Sequence, residues 1–292
     1  MVDFPIASIV FEGDFRLAIL QALSIDRLYD GSDLTEYTVI LNGQDNMSLR
    51  SAYERDLKPA VSSDFWAKIN FLVWEDLLSS SPRVGYYDQQ ALKLSLGNYY
   101  SSEFFLMLDA KNHFVRPVSS ASFLQAGRPF APRERVNNMW RPYLKNSFEA
   151  MGVEMNDLSI MMPSITPYLM YTCEVRKLVE YLTEKYSSSL TEALVRAGGT
   201  EFLLYYASIY KRSKELYHEK DLPVRTLFTS WPQEHEVVLR LIRELSDHEV
   251  PMFGLHRNRL PQLSRRQIYE IEKIWRTYLL RPWESAEWFL VY

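Results

Sequence analysis

Cysteine is almost absent: the 292-residue chain holds one, Cys173. A single thiol excludes an intramolecular disulfide and a thiolate metal cluster, and it fits a reducing, cytoplasmic setting. Cys173 stands just before an amphipathic segment in apolar company, so a buried structural thiol is expected. Long hydrophobic runs are missing too. No stretch reaches the roughly 18 uninterrupted apolar residues of a membrane helix. Met1 to Ile6 carries Asp3 and no basic region, unlike a secretory signal. Charge of one sign is also lacking. The net charge is −4, and the densest basic cluster, Arg257, Arg259, Arg265 and Arg266, is short, so no nucleic-acid-binding face is expected. Walker A, G-x-G-x-x-G and G-x-S-x-G sequences are all absent, and no two histidines have the i, i+4 spacing of a helical metal site.

What is present is a large apolar share, 47% of residues, enough to bury a substantial core. The aromatic residues are assigned mainly to that core. The periodicity predicts a strand over Ile6 to Phe11, a buried helix over Phe15 to Tyr29 and a second strand over Tyr37 to Leu41. A charged helix near Ser48 to Leu57, a strand over Lys68 to Trp74 and a helix over Asp88 to Tyr100 follow. Phe104 to Leu108 is the most apolar strand and is expected in the centre of the sheet, because strands covered on both faces read as continuous apolar runs. This alternation predicts a central mixed, mostly parallel sheet flanked by helices.

The second half is less regular. A loop with a strand fragment is expected over Gln125 to Arg135, and a partly extended piece over Met161 to Thr172. Helices are expected over Glu174 to Tyr186, Glu201 to Tyr210, Glu236 to Leu245 and Gln267 to Leu279, with a late strand over Val250 to Leu255. The aromatic segment Arg281 to Tyr292 is expected to pack as a last strand, with docking on a partner or a membrane surface as the alternative. No repeat or linker divides the chain.

In open α/β sheets, ligands bind beyond the carboxyl ends of the strands. The polar residues there are Glu12 and Asp14 after the first strand, and Asn42, Gln44 and Asp45 after the second. Asp109, Lys111, Asn112 and His113 follow the fourth, and His256 and Arg257 the late one. These are also ordinary turn residues, and both readings stand at this point. His113 is expected to be structural, and His218, His235 and His248 to lie in charged, helical surroundings at the surface.

Four motifs occur in a telling order. They are Gly85-Tyr86-Tyr87-Asp88-Gln89-Gln90-Ala91-Leu92-Lys93-Leu94, the strand running into Asp109-Ala110-Lys111 and leaving through Phe114-Val115-Arg116-Pro117, Thr200-Glu201-Phe202, and Phe253-Gly254-Leu255-His256-Arg257. In this the chain resembles the GT-A superfamily of nucleotide-sugar glycosyltransferases, and within it bacterial members linked to surface polysaccharides. The resemblance implies one GT-A-like, Rossmann-like domain over 1–292. Residues 1–118 would hold the nucleotide sugar, and 119–292 would shape the acceptor and catalytic side. It implies transfer of a sugar from a nucleotide diphosphate to a glycan hydroxyl in polysaccharide biosynthesis, in the cytoplasm or at the inner face of the membrane, with no nucleic-acid partner. Glu12, Asp14, Asn42, Asp45, Gln89, Gln90, Lys93, Asp109, Asn112, His256 and Arg257 would contact the donor, and Glu201 would take the acceptor proton, with inversion preferred because it needs only one carboxylate.

The family's Asp-x-Asp pair holds a divalent cation, manganese or magnesium, that neutralises the diphosphate. Here Lys111 replaces the second acid. Lysine offers donors and positive charge but no ligand oxygen. Two readings follow: the Lys111 ammonium takes the metal's place at the leaving group, or the site is inactive and the protein only binds nucleotide sugar or acts as a scaffold. Asn112 keeps an approach to a metal open. A nucleotidyltransferase is a further alternative, but such enzymes rely on metal-binding carboxylates.

Overall fold

The computed structural model describes residues 4–79, 85–154, 157–222, 224–247 and 250–290. The first half alternates β1 (Ile6–Val10), α1 (Phe15–Leu28), β2 (Tyr37–Leu41), α2 (Asn46–Asp56), β3 (Ile69–Val73), α3 (Tyr86–Tyr99) and β4 (Phe104–Asp109). The chain then turns through Ala110 and Lys111 into β5 (Asn112–Phe114). The second half holds α4 (Arg141–Met151), β6 (Tyr168–Tyr171), α5 (Thr172–Tyr186), α6 (Leu190–Ala197), α7 (Glu201–Ile209), β7 (Val224–Leu227), α8 (His235–Asp247), β8 (Met252–Leu255), α9 (Arg265–Tyr278) and α10 (Ala286–Leu290).

The main sheet runs β6-β4-β1-β2-β3, parallel except for β6, which is antiparallel to β4. It is the mixed, mostly parallel α/β sheet expected. The middle strand is β1 rather than β4, whose residues Phe104 to Leu108 are nonetheless fully buried between two neighbours. From β1 the chain steps outward to β2 and β3, then returns to place β4 on the other side of β1. That reversal opens a crevice at the carboxyl ends of β1 and β4, where α/β folds receive ligands. A second sheet, β7-β8-β5, extends from the β4–β5 turn.

The core explains the helices. α1 buries Leu17, Ala18, Ile19, Leu20, Ala22, Leu23 and Ile25. It also buries two polar residues that brace the crevice. Gln21 donates from Nε2 to the carbonyls of Asp109 (2.8 Å) and Asn112 (2.7 Å) and accepts from the Tyr37 hydroxyl (2.8 Å). Ser24 Oγ accepts from the Phe114 amide at 2.9 Å. Buried polar groups need such partners, so the β4–β5 turn is fixed from beneath.

Several expectations are corrected. Arg281 to Tyr292 forms no last strand among the described residues: its apolar residues Ala286 and Phe289 lie at i, i+3, the helical spacing, and α10 results. Cys173 is exposed, because the buried side of α5 runs through Val175, Leu178, Val179 and Leu182 and leaves position 173 outside it. His218 is half-buried in a β-bridge to Phe130 rather than on a helix, with Nε2 3.2 Å from the Gln125 carbonyl. His235 is exposed at the start of α8, and His248 lies outside the described residues. The Gln125 to Arg135 stretch holds three two-residue strand pieces, at Leu124–Gln125, Arg128–Pro129 and Glu134–Arg135. Among the described residues no helix is long and apolar enough to cross a membrane.

Candidate active site

The crevice holds a cavity of about 370 Å³ lined by Ile9, Phe11, Asp14, Tyr86, Gln89, Lys93, Asp109, Ala110, Lys111, His256 and Arg257. Four elements far apart in sequence meet there: the exit of β1, α3, the β4–β5 turn and the exit of β8. Tyr86, Gln89 and Lys93 are spaced i, i+3, i+7, one face of a helix, and α3 turns that face inward.

Asp109 is the pivot. Lys93 Nζ lies 3.0 Å from its Oδ1, and Lys111 Nζ contacts its Oδ2. Both ammonium groups are nearly buried, with side chains 12% and 10% exposed. Lys93 also pairs with Glu201 Oε1 at 3.0 Å and lies 5.0 Å from the Phe202 ring centre. Lys111 donates further to Thr166 Oγ1 at 3.2 Å. Burial pushes the Asp109 carboxyl up, but the Lys111 and Lys93 charges outweigh it and hold Asp109 well below the usual carboxylate range. Burial likewise works against the Lys93 ammonium, and Asp109 and Glu201 overcome it, so the amine is held well above its ordinary value.

Glu201 owes its place to the chain around it. Gly198 ends α6 in the left-handed conformation (φ 63°), where glycine carries no side-chain penalty. Thr200 then caps α7, accepting from the Leu203 amide at 3.4 Å. The Glu201 amide donates to Gln90 Oε1 at 3.1 Å. Glu201 is 6% exposed and stands behind Lys93, not among the residues lining the cavity.

On the opposite wall, Arg257 stacks on Phe11, 4.3 Å from the ring centre, with Nε 3.6 Å from Asp14 Oδ1. Burial pushes Asp14 up to about 6, with Arg257 opposing and Asp109 adding to the rise. His256 Nδ1 accepts from the Asn258 amide at 3.2 Å and lies 2.9 Å from Thr229 Oγ1. Burial lowers the imidazole's pKa, and the Lys111 and Arg257 charges lower it further.

Of the donor-contact residues expected from sequence, Asp14, Gln89, Lys93, Asp109, His256 and Arg257 line this cavity with Lys111. Five lie elsewhere. Asn112 is fully buried, and its Oδ1 accepts from the Asp109 amide (3.1 Å) and from Thr166 (2.8 Å). Gln90 is buried against Glu201. Glu12 Oε1 ties the β1 and β2 exits together through the Gln44 (2.7 Å) and Asp45 (3.3 Å) amides. It lines a neighbouring cavity of about 310 Å³ with Phe15, Arg16 and Leu260. Asp45 caps α2 through the Ser48 amide at 3.0 Å, and Asn42 is half-buried at the β2 exit. His113 is structural, as expected: it is buried, it accepts from Trp275 Nε1 at 2.9 Å, and burial pushes its ring down to about 3. Sequence reasoning missed Phe11, Tyr86, Thr166 and Gln21. The helical spacing to Gln89 and Lys93 flags Tyr86. A glutamine amid Leu, Ile and Ala flags Gln21. Nothing in the sequence flags Thr166.

A divalent cation does not fit these residues. Each Asp109 oxygen already carries an ammonium group, and a cation there would stand against two like charges. Among the described residues no three His, Cys, Asp or Glu side chains converge as metal ligands.

Solved structures similar to this chain include mouse xyloside xylosyltransferase 1 in its apo form, at 14% identity and a TM-score of 0.46, covering 87% of this chain and 97% of that one. The galactosyltransferase LgtC, in complex with donor and acceptor sugar analogs, is 11% identical with a TM-score of 0.47, covering 97% and 99%. The glycosyltransferase GlyE of Streptococcus pneumoniae TIGR4 is 12% identical with a TM-score of 0.43, covering 98% of this chain and 62% of that one. Among curated proteins none matches the chain. Residues 15–234 match the model of a family of unknown function.

Proposed function

The chain belongs to that family, DUF6492, and on that premise we propose that it is a GT-A-like glycosyltransferase whose cavity holds a nucleotide-sugar diphosphate on ammonium groups in place of a metal ion. The observation that carries this reading is the engagement of both Asp109 oxygens by Lys93 and Lys111 at the mouth of the crevice. Lys93, Lys111 and Arg257 supply donors where a leaving diphosphate gathers charge, and preorganised donors of this kind are a large term in group transfer. Residues 1–118 contribute most of the donor side, and 119–292 contribute Glu201, Thr166 and the His256–Arg257 exit. The acceptor is a glycan hydroxyl of a surface polysaccharide. Direct displacement with inversion suits a site whose central carboxylate is already engaged and is a poor nucleophile.

Thermal stabilisation by nucleoside diphosphates and nucleotide sugars, with and without manganese, tests the reading, since a ligand of the folded state raises the midpoint. A shift with one nucleotide class, unchanged by manganese, is expected. No shift with any nucleotide would remove the donor site.

One observation favours a second reading, a nucleotide-sugar-binding protein without turnover: Glu201, the residue assigned to the acceptor proton, is paired with Lys93 and set back from the cavity. Glu201→Gln separates the two. Lost transfer with retained donor binding supports the base, whereas transfer at the native rate removes Glu201 from the chemistry.

A further inference from the structure

The two carboxylates of the cavity stand in opposite surroundings. Asp109 carries an ammonium group on each side. Asp14, at the exit of β1, has Arg257 at 3.6 Å as its close counter-charge. The charged groups that bear on Asp14 are Arg257 beyond β8, and Asp109 and Lys111 on the β4–β5 turn. Lys93 and Tyr86 of α3 and His256 complete the titratable lining.

Arg257 is shared between several neighbours. It lies on the Phe11 ring and over Gly13, where a Cβ would sit 1.8 Å from Nη1, so the absent side chain makes its room. It lines both the central cavity and the neighbouring one that holds Glu12. A diphosphate entering this space meets the Asp14 charge and competes with it for Arg257. An anion beside a carboxylate favours the neutral acid.

We propose that Asp14 enters the ligand complex as a neutral carboxyl group: binding of a diphosphate draws one proton from solvent onto Asp14, which then donates a hydrogen bond to a phosphoryl oxygen and releases Arg257 to fork onto the same group. This rests on the diphosphate reading above. No covalent bond changes, and the proton returns to solvent when the ligand leaves. The protein already leans this way, because burial and Asp109 raise the Asp14 carboxyl. Asp109 takes no part in the uptake, being held ionised by its two lysines. Asp14 would thus set the preference of the cavity for diphosphate esters and tie that preference to pH.

The test is calorimetric titration of the whole chain with symmetrical dimethyl diphosphate, without metal. This probe carries two negative charges and no group that titrates near neutrality. Heats measured at about pH 7 in two buffers of different ionisation enthalpy count the protons taken up. Uptake approaching one proton is expected, vanishing at about pH 5, where Asp14 is already largely protonated. The affinity should fall by up to about tenfold per pH unit above neutrality, the limit for one linked proton. Asp14→Asn, whose amide donates at every pH, should bind with no uptake and with flat pH dependence. Binding without proton uptake at neutral pH, or the same uptake in Asp14→Asn, overturns the proposal. Failure of the probe to bind at any pH sinks the diphosphate reading itself.

Discussion

Two buried charge clusters behave differently in this fold. Arg27 of α1 and Glu284 meet fork to fork at 2.6 Å on both arms, with side chains 11% and 15% exposed. Arg27 donates further to the carbonyls of Leu279 and Ala60, both at 3.1 Å, and Glu284 accepts from the Arg281 amide at 2.8 Å. That cluster pins the C-terminal segment to α1. Around Asp109, the charges of Lys93, Lys111 and Glu201 also pair, but Lys93, Asp109 and Lys111 face a cavity that Arg257 enters from the other side. Burial of an ion pair therefore does not mark a site. What distinguishes the second cluster is that Lys93, Asp109 and Lys111 line one cavity together with Asp14 and Arg257, whereas of the first pair only Glu284 reaches a cavity, one it shares with Trp288 and Phe289.

Substitutions can break that contrast. The largest effect is expected for Lys93→Met, which takes the cation from buried Glu201 and one of two from Asp109. Removing one member of a buried pair costs about 3–5 kcal/mol. Urea unfolding should show that loss, and diphosphate binding should vanish with it. Arg27→Met should cost somewhat less, about 2–4 kcal/mol, because Glu284 keeps the Arg281 amide as a partner. Diphosphate affinity, measured on the folded fraction, should stay unchanged. A matching loss of affinity in Arg27→Met would erase the distinction between the clusters. Lys111→Met leaves Lys93 on Asp109, so stability should fall by only about 1–2 kcal/mol. Diphosphate affinity should nonetheless drop by about ten- to a hundredfold, the scale of a lost charge-assisted contact.

The smallest effect is the dependence of stability on pH, and it sharpens the comparison. Glu284 is held below its ordinary value because Arg27 outweighs its burial, and Asp109 because Lys111 and Lys93 do. Their contributions are present above the unfolded carboxylate pKa of about 4 and are lost as pH falls through the lowered folded values. Asp14 has the opposite sign. Its folded pKa is raised to about 6, so its contribution is full in acid and is lost as pH rises from about 4 through 6. Between pH of about 7 and 5 Asp14 opposes His113 and His256, whose burial keeps the imidazoles neutral and costs stability as the unfolded rings protonate, so Asp14→Asn should make the thermal midpoint fall more steeply over that range.

Much of this architecture was legible in the sequence. The apolar runs at β1, β2 and β4 gave the strands, and the resemblance around Asp109 pointed to the strand ends where the cavity lies. The expectation that ligands bind beyond the carboxyl ends of the strands also brought in Glu12, Asn42 and Asp45, because the alternation of polar and apolar residues says where a strand ends but not which way an exit loop turns. Asn112 was misjudged for a related reason. A buried asparagine that braces a turn and an exposed one that meets a ligand look alike until the turn is seen. Cys173 and the C-terminal segment were misjudged because the buried side of a helix depends on its partners. Thr166 carries no signal at all, since only the pairing of β6 with β4 brings it beside Lys111.

That pairing has a consequence for how the molecule can be divided. The first half reads as a self-sufficient βαβ unit, and a cut after residue 118 looks natural. Such a fragment would lack β6, and Phe104 to Leu108 would become a bare edge of unpaired amides and carbonyls on the most apolar strand of the chain, a template for aggregation. During synthesis the same edge waits uncovered until residues 168–171 emerge, so the first half depends on the second for its solubility.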